Sequence, residues 1–354
     1  MNISGLLLQW YVTHRRKLPW RETKDPYRIW VSEVILQQTR VEQGIGYYRR
    51  FIERYPDLPS LAEASLDEVL KSWQGLGYYT RARNLHQAAR EMYHRHQGRF
   101  PREYRDLLAL PGIGPYTASA IASFAFDRVV AVVDGNVARV LARLEAINTP
   151  INTTRGKKQL DQLAQALISS QDPATHNQAI IEFGALQCVP KNPYCPGCPL
   201  QEHCQAYQLK QVTSLPVKAP KRAKKNRYFY YIPVHYHDAL LMDKRNDSDI
   251  WQGLYQFPLI ETPERLEPER LTQTQNWKEM FDGVSPQITD ISSPYKHVLT
   301  HQYIQARFIR VHLEALNPML GQTYQLIPAE ELHDLAVPRL IEKYLEHENY
   351  PKNP

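Results

Sequence analysis

The run LPGIGPYTASAIASF, Leu110 to Phe124, decides how the first half of this chain is read. Apolar positions recur around it at the three- and four-residue intervals of helices, for example Leu61, Val69, Leu70 and Trp73, or Leu160, Leu163, Ala164 and Leu167. Between two such stretches Gly112 and Gly114 permit a tight backbone turn, and a helix starts just after them. Free amides at that helix N-terminus can hold a phosphate without reading base sequence, as a helix-hairpin-helix needs to do on a DNA backbone. An ordinary αα-hairpin turn containing glycine fits the same residues. Helix start signals are frequent: Asp25 before Pro26, Ser65 before Asp67 and Glu68, Asp172 before Pro173. Residues 1–207 therefore read as all-α.

At 354 residues the chain is long enough for two or three domains. Its 43 Lys and Arg against 37 Asp and Glu lean toward a polyanionic partner, but an ordinary basic protein carries the same balance. No apolar stretch approaches the roughly 20 residues needed to span a bilayer. The N-terminal segment has its cations after the apolar residues, the reverse of a signal peptide, and reads as an amphipathic helix. The expectation is a bacterial-type cytoplasmic monomer, nucleoid-associated, with no membrane partner.

All four cysteines fall between positions 188 and 204, as Cys188, Cys195, Cys198 and Cys204. A chain this long needs no disulfide staples, and cysteines elsewhere are absent. Four converging thiolates suit a metal centre, either tetrahedral zinc or an iron–sulfur cluster. Zinc sites of this kind usually carry two C-x2-C pairs; here only Cys195 and Cys198 are so close, and the uneven spacing suits a cubane better.

Two carboxylates draw attention. In VVAVVDGNVARVLARL, Val129 to Leu144, Asp134 joins an apolar run to a helix and can cap the amides of Asn136 or Val137. The helix dipole would hold such a carboxylate ionised, and an ionised carboxylate facing a cleft can stabilise a developing cation. In DPYRIWVSEVILQQT, Asp25 to Thr39, Glu33 sits one turn from Ile29 and Trp30 on a helix apolar nearly all round. Burial there raises a carboxyl pKa toward neutrality and suits a general acid; a glutamate at the helix edge, paired with an arginine, is the competing reading. One protonated and one ionised carboxylate make the pattern for cleaving glycosidic bonds.

Residues 208–227 change character, with Pro216, Pro220 and the cations Lys218, Lys221, Arg222, Lys224, Lys225 and Arg227, and read as a basic linker. Such a run is either a solvated face or a phosphate contact. Beyond it YFYYIPVHY, Tyr228 to Tyr236, and later short aromatic segments read as strands, with a helical end from Pro328 to Glu346. Residues 228–354 form a smaller α+β module.

A hairpin about 105–125, an aspartate some 20 residues on, then C-x6-C-x2-C-x5-C: this order resembles the helix-hairpin-helix DNA glycosylase superfamily of iron–sulfur type. Two branches differ at one hairpin position. The endonuclease III type, an oxidised-pyrimidine glycosylase and lyase, uses a lysine after the glycines; here Tyr116 stands there, and a phenol cannot form an imine. SEVILQQTRV around Glu33 and GLGYYTRARNL (Gly75 to Leu85) resemble the adenine glycosylase branch, the MutY family. The resemblance implies release of adenine mispaired with 8-oxoguanine or guanine in duplex DNA, after the adenine is flipped into a pocket. It implies Glu33 as the acid at adenine N7 and Asp134 as stabiliser of the cationic sugar, with Tyr116 and Asn136 in the same site. Gln38 and Tyr78 match residues wedged beside the lesion; Trp20, Arg21, Gln178 and Glu182 match the adenine pocket; Gly112 and Gly114 hold the backbone. One [4Fe–4S] cluster on the four cysteines is implied. DKRNDSDIWQGLYQFP, Asp243 to Pro258, resembles the nudix-like domain that recognises 8-oxoguanine, without the glutamate-rich metal helix. A Phe-Ser-His loop of that domain corresponds here to Leu299, Thr300 and His301. Outside the branch stand two alternatives: the lyase type, and a non-catalytic, zinc-stapled DNA-binding protein.

Overall fold

The computed structural model describes residues 2–220, 223–246 and 249–350. Lys221 and Arg222 of the basic run, and Asp247 and Ser248 of the Asp243–Pro258 segment, lie outside the described residues. The chain forms two compact units. The first runs to Glu63 and resumes over Asn84–Pro220; the second joins Ala64–Arg83 to the C-terminal part of the chain.

The first unit is helical, and its helices begin where short polar side chains can take up free amides. Asp25 accepts from the Tyr27 amide ahead of the helix Pro26–Leu36, and Asp172 from the Thr175 amide ahead of Pro173–Leu186. The helix Pro26–Leu36 is buried at Tyr27 and continuously from Ile29 to Ile35. Helices Ile3–His14, Gly135–Leu144, Thr154–Leu167 and Pro173–Leu186 share a core that includes Leu7, Trp10, Leu141, Leu160, Ile180 and Phe183. Trp10 meets Phe183 edge-on at 5.1 Å. Gly184 lets Gly135–Leu144 and Pro173–Leu186 approach closely: a Cβ there would lie 2.7 Å from the Asn136 Cβ and 2.9 Å from its backbone.

The second unit is a mixed sheet. Its strands are β1 (Lys225–Tyr231), β2 (Val234–Tyr236), β3 (Ala239–Lys244), β4 (Tyr255–Gln256), β5 (Leu259–Thr262), β6 (Gln287–Ile291), β7 (Tyr295–Val298), β8 (Gln302–His312) and β9 (Gln325–Pro328). β8 is the spine: β1 and β2 pair with it in parallel, β6 and β7 antiparallel. Period-two alternation divides the core between the two faces of the sheet. Phe229 and Tyr231 join Phe308 and Tyr344 in one cluster, and Tyr230 and Ile232 join Trp277 and Val311 in the other. Tyr344, from the helix Arg339–His347, stacks on Phe308 with ring centroids 4.0 Å apart.

The boundaries differ from the sequence reading in three places. Residues 64–83, expected within a continuous domain 1–207, belong to the second unit: Lys244 pairs with Asp67 at 2.5 Å, Gln74 with Glu342 at 2.9 Å, and Arg83 donates to the Gln252 carbonyl at 2.7 Å. The stretch read as a linker from 208 is tied down on the first unit by buried Leu215, by the Ile151 amide on the Val217 carbonyl (3.0 Å) and by Asn152 on the Ala219 amide (2.7 Å). Lys225 and Arg227 are already in β1. The helical end is divided, with Pro328 closing β9, a 3-10 turn over Ala329–Asp334 and the helix starting after Pro338.

Adding one methyl at Gly184 has nowhere to go, since part of what it meets is backbone. Gly184→Ala is expected to lower the unfolding free energy by about 1–3 kcal/mol, read from the denaturant midpoint.

Candidate active site

The hairpin sets the geometry. Gly112 has φ +71°, and a Cβ on it would fall 2.4 Å from the Asn84 Cβ, so both conformation and space demand glycine. Gly114 differs from expectation: its φ of −85° suits any residue, and open space lies where a Cβ would be. It caps the helix Pro115–Phe126, which starts on Pro115 and carries no side-chain cap, leaving its first amides open to an anion.

Tyr116, in the first turn, donates its hydroxyl to the Glu33 carboxylate. Glu33 is 8% exposed, so of the two readings of this residue burial is the one observed. Burial pushes its pKa up to about 7; nearby Asp134 adds to the rise, while the Tyr116 hydroxyl and the Arg21 charge oppose it. At neutral pH the carboxyl is thus poised between protonated and ionised.

Asp134 caps the helix Gly135–Leu144. Its Oδ1 accepts the amides of Asn136 (2.8 Å) and Val137 (2.7 Å), and its Oδ2 accepts from Asn136 Nδ2 (2.8 Å). The dipole was expected to dominate here. Burial is the larger influence and lifts its pKa, against the Val137 and Asn136 hydrogen bonds and the Arg139 charge. Asn136 is held in turn by Arg139, whose Nη2 donates to its Oδ1 at 3.0 Å.

Glu33, Tyr116, Asp134, Asn136, Trp20, Arg21, Gln38 and Gln178 line one open cleft of about 1430 Å³. Trp20 is edge-on to Tyr48 at 5.3 Å, and Gln178 accepts from the Tyr11 hydroxyl at 2.9 Å. Gln38 is exposed, with φ 57°. Glu182, expected among the pocket residues, is not in the cleft wall. Its fully buried carboxylate accepts from the Arg16 amide (2.8 Å), Arg16 Nε (2.9 Å) and Nη2 (2.7 Å), and Arg21 Nη2 (2.9 Å). Burial works against that charge, yet the two arginines outweigh it and hold the pKa at about 2. Glu182 therefore anchors the cations that do line the cleft. Arg16 was missed from sequence because nothing distinguishes it within the basic run His14–Lys17.

Tyr78, Leu299, Thr300 and His301 lie in the second unit. The Tyr78 hydroxyl and Thr300 Oγ1 are hydrogen-bonded at 3.0 Å, and both residues are exposed. The β7–β8 turn is braced by Lys224 Nζ on the Leu299 carbonyl (2.9 Å) and the Lys225 amide on the His301 carbonyl (3.0 Å). Leu299 packs partly into the sheet core, whereas His301 is exposed.

Cys188, Cys195, Cys198 and Cys204 are free and half-buried. Cys188 follows the helix Pro173–Leu186, Cys195 and Cys198 bracket a 3-10 turn, and Cys204 precedes the short helix Gln205–Gln208. Two arginines one turn apart reach this loop. Arg139 Nε donates to the Cys188 carbonyl at 2.8 Å, and Arg143 Nη1 to Cys188 Sγ at 3.3 Å. Burial first, then mutual repulsion among the sulfurs, raises the thiol of Cys198 to about 11, opposed by an amide hydrogen bond. An all-sulfur donor set with a guanidinium at its edge fits an anionic metal–sulfur body.

Residues 31–177 match the model of the HhH-GPD superfamily of base excision DNA repair proteins, and residues 230–347 match the NUDIX domain. An adenine DNA glycosylase of Buchnera aphidicola is 33% identical over 350 residues, covering 97% of each chain. One of Mus musculus is 36% identical, covering 84% of this chain and 68% of its own. The chain belongs to the adenine DNA glycosylase family. It is a DNA glycosylase of base excision repair, with DNA as its partner. Among solved structures, a thermostable thymine-DNA glycosylase is 30% identical with a TM-score of 0.54, covering 58% of this chain and 95% of its own. An endonuclease III bound to DNA, 22% identical with a TM-score of 0.51, has the same helical fold.

The Glu182 cluster gives this glycosylase a pH-dependent support. A carboxyl held at about 2 when folded, against an ordinary 4.5, contributes stability above pH 4.5 that is lost as pH falls through 2. Glu182→Gln is expected to cost about 3 kcal/mol at pH 7. The deficit should shrink below about pH 4.5, as followed by denaturant titration at several pH values.

Proposed function

We propose that this glycosylase hydrolyses the N-glycosidic bond of adenine mispaired with 8-oxoguanine, or with guanine, in duplex DNA. The observation that carries the reading is the buried Glu33 carboxyl, which lines one cleft with Tyr116, Asp134 and Asn136 and whose burial pushes its pKa up to about 7. Adenine leaves poorly as an anion, so a proton must reach it as the bond breaks. Glu33 in its protonated form donates to adenine N7; the C1′–N9 electron pair departs with the neutral base. The sugar becomes cationic, and the ionised Asp134 stabilises it. Glu33, now a carboxylate, takes a proton from the water that adds at C1′, which restores the acid. Tyr116 orients Glu33, and Asn136 orients Asp134. The hairpin side chain beside Glu33 is a phenol, which supports hydrolysis over imine formation.

Trp20, Arg21 and Gln178 would receive the flipped adenine, and Gln38 and Tyr78 would fill the duplex. Thr300 and His301 offer a hydroxyl and an imidazole at an exposed turn, suited to hydrogen bonding an oxidised purine. Leu299 supplies no aromatic face for stacking, and its side chain is partly taken up by the core.

Cys188, Cys195, Cys198 and Cys204 would hold one [4Fe–4S] cluster. Their uneven C-x6-C-x2-C-x5-C spacing, with only one C-x2-C pair, favours a cubane over tetrahedral zinc. Bound there, the cluster would cross-link the loop through its four thiolates, and the acid–base steps would rest on Glu33 and Asp134. Purified protein should be yellow-brown with about four irons per chain. A colourless protein with stoichiometric zinc would overturn the assignment.

The test of the reaction is single-turnover strand scission after alkali, on duplexes carrying A opposite 8-oxoguanine, A opposite G, or thymine glycol. Release is expected from the first two only, with no covalent product trapped by borohydride. Glu33→Gln should lower the rate by at least about 10²-fold while sparing duplex affinity. The wild-type rate should fall as pH rises through about 7, where Glu33 loses its proton. Retained turnover in Glu33→Gln would remove Glu33 as the acid.

A further inference from the structure

The chain reaches Asp134 through a segment outside helix and strand, residues 129–132, entered by a tight turn in which the Val130 amide donates to the Arg128 carbonyl at 2.8 Å; among the described residues the first strand begins at Lys225. The segment's N–H and C=O groups alternate between two edges, one facing buried Val132 and Asn177 and the other exposed at Val129, and those withdrawn from water must find partners. Here two side-chain carboxamides supply them, one on each edge. Asn177 Oδ1 accepts the Val132 amide at 3.0 Å, and its Nδ2 donates to the Val130 carbonyl at 2.9 Å. On the opposite edge Gln165 Oε1 accepts the Ala131 amide at 3.0 Å, and its Nε2 donates to the Val129 carbonyl at 3.0 Å. Each carboxamide thus reproduces the donor–acceptor pair of a neighbouring strand.

The two sit on different helices, Gln165 on Thr154–Leu167 and Asn177 on Pro173–Leu186. Asn177 is 1% exposed, and its Nδ2 also donates at 2.8 Å to Ser123 Oγ, on the helix that carries Tyr116. The cap bonds of Asp134 fix its carboxylate relative to its own helix. They do not fix the start of that helix relative to Glu33 and Tyr116. That placement is shared between the contacts of Gly184 and Arg139 on the helix and the segment ending two residues before Asp134, which Asn177 and Gln165 grip.

We infer that Asn177, assisted by Gln165, is a positioning residue for the glycosylase reaction, setting the register of residues 129–132 and so the place of Asp134 in the site. The inference rests on the role of Asp134 proposed above. A reacting geometry displaced by about 1 Å loses roughly 10²-fold in rate, so small slippage of the segment is enough to register.

Two variants of the full-length protein test it. Gln165→Leu removes one edge at an exposed site. Asn177→Asp keeps the acceptor for Val132 but sets a carboxylate oxygen against the Val130 carbonyl. The readouts are the single-turnover rate on the A:8-oxoguanine duplex and the affinity for the same duplex with a 2′-fluorine on the target nucleotide, which resists hydrolysis. The rate should fall ~10- to 100-fold in Asn177→Asp and roughly 3- to 10-fold in Gln165→Leu, with affinity within about 2-fold of wild type. Lowering the pH from about 8 to about 5 should raise the Asn177→Asp rate relative to wild type, as the introduced carboxyl protonates and regains a donor. Unchanged rates, rate losses matched by affinity losses, or no recovery at low pH would each overturn the inference. If Asn177→Asp does not fold, the split between rate and affinity in Gln165→Leu decides alone. Asp134→Asn at full rate would instead sink the role given to Asp134.

Discussion

The close contact between Gly135–Leu144 and Pro173–Leu186 is the constraint on which the glycosylase unit depends. Gly184 allows it, and the buried Arg139 guanidinium fills what the contact leaves open. Arg139 reaches the Gly184 carbonyl at 2.6 Å, the Cys188 carbonyl at 2.8 Å and Asn136 Oδ1 at 3.0 Å. One side chain thereby joins the active-site cap, the facing helix and the cysteine loop. A buried cation is tolerated only with such a full set of partners.

That scaffold assigns different tasks to three carboxyl groups by environment alone. Glu33 is buried, and that burial outweighs the Tyr116 hydroxyl and pushes its pKa up to about 7. Asp134 is also buried, and three short hydrogen bonds favour its ionised form without fully offsetting that burial, which leaves its pKa raised. Glu182 has two guanidinium partners and stays ionised to about pH 2. Acid, ion and anchor are chemically similar side chains; desolvation and hydrogen-bond partners separate them.

Much of this was legible in the sequence because it rests on local rules. Asp25, Ser65, Asp134 and Asp172 cap the helices they precede, and the apolar surroundings of Glu33 follow from helical spacing. What stayed hidden depends on contacts between distant residues. Glu182 matched a pocket residue, yet its partners Arg16 and Arg21 lie over 160 positions away and draw it out of the cleft wall. Residues 64–83 carry an ordinary helical pattern; their attachment to the second unit comes from partners such as Gln252 and Glu342. Gly114 looked conformationally necessary because it sits beside Gly112, but only Gly112 adopts the left-handed backbone. Leu215 gave the supposed linker its anchorage, and one leucine in a polar, proline-rich stretch carries no periodicity to announce it.

Residues 64–83 also bear on how the lesion and the adenine are handled. Tyr78 and Thr300 belong to the same unit and share a hydrogen bond, whereas Glu33, Tyr116 and Asp134 belong to the other. Two of the residues proposed to meet the damaged duplex are thus held to one another within the second unit. Arg81 stacks its guanidinium over the rings of both Tyr78 and Trp73, at 5.5 and 5.4 Å, so the exposed tyrosine is backed by buried aromatic surface. A side chain that must enter a duplex gains from such backing, because less of its freedom remains to be lost on binding. Under the proposed function, the exposed tyrosine is thereby preorganised within its own unit, and the acid role proposed for Glu33 rests on a different kind of environment, burial.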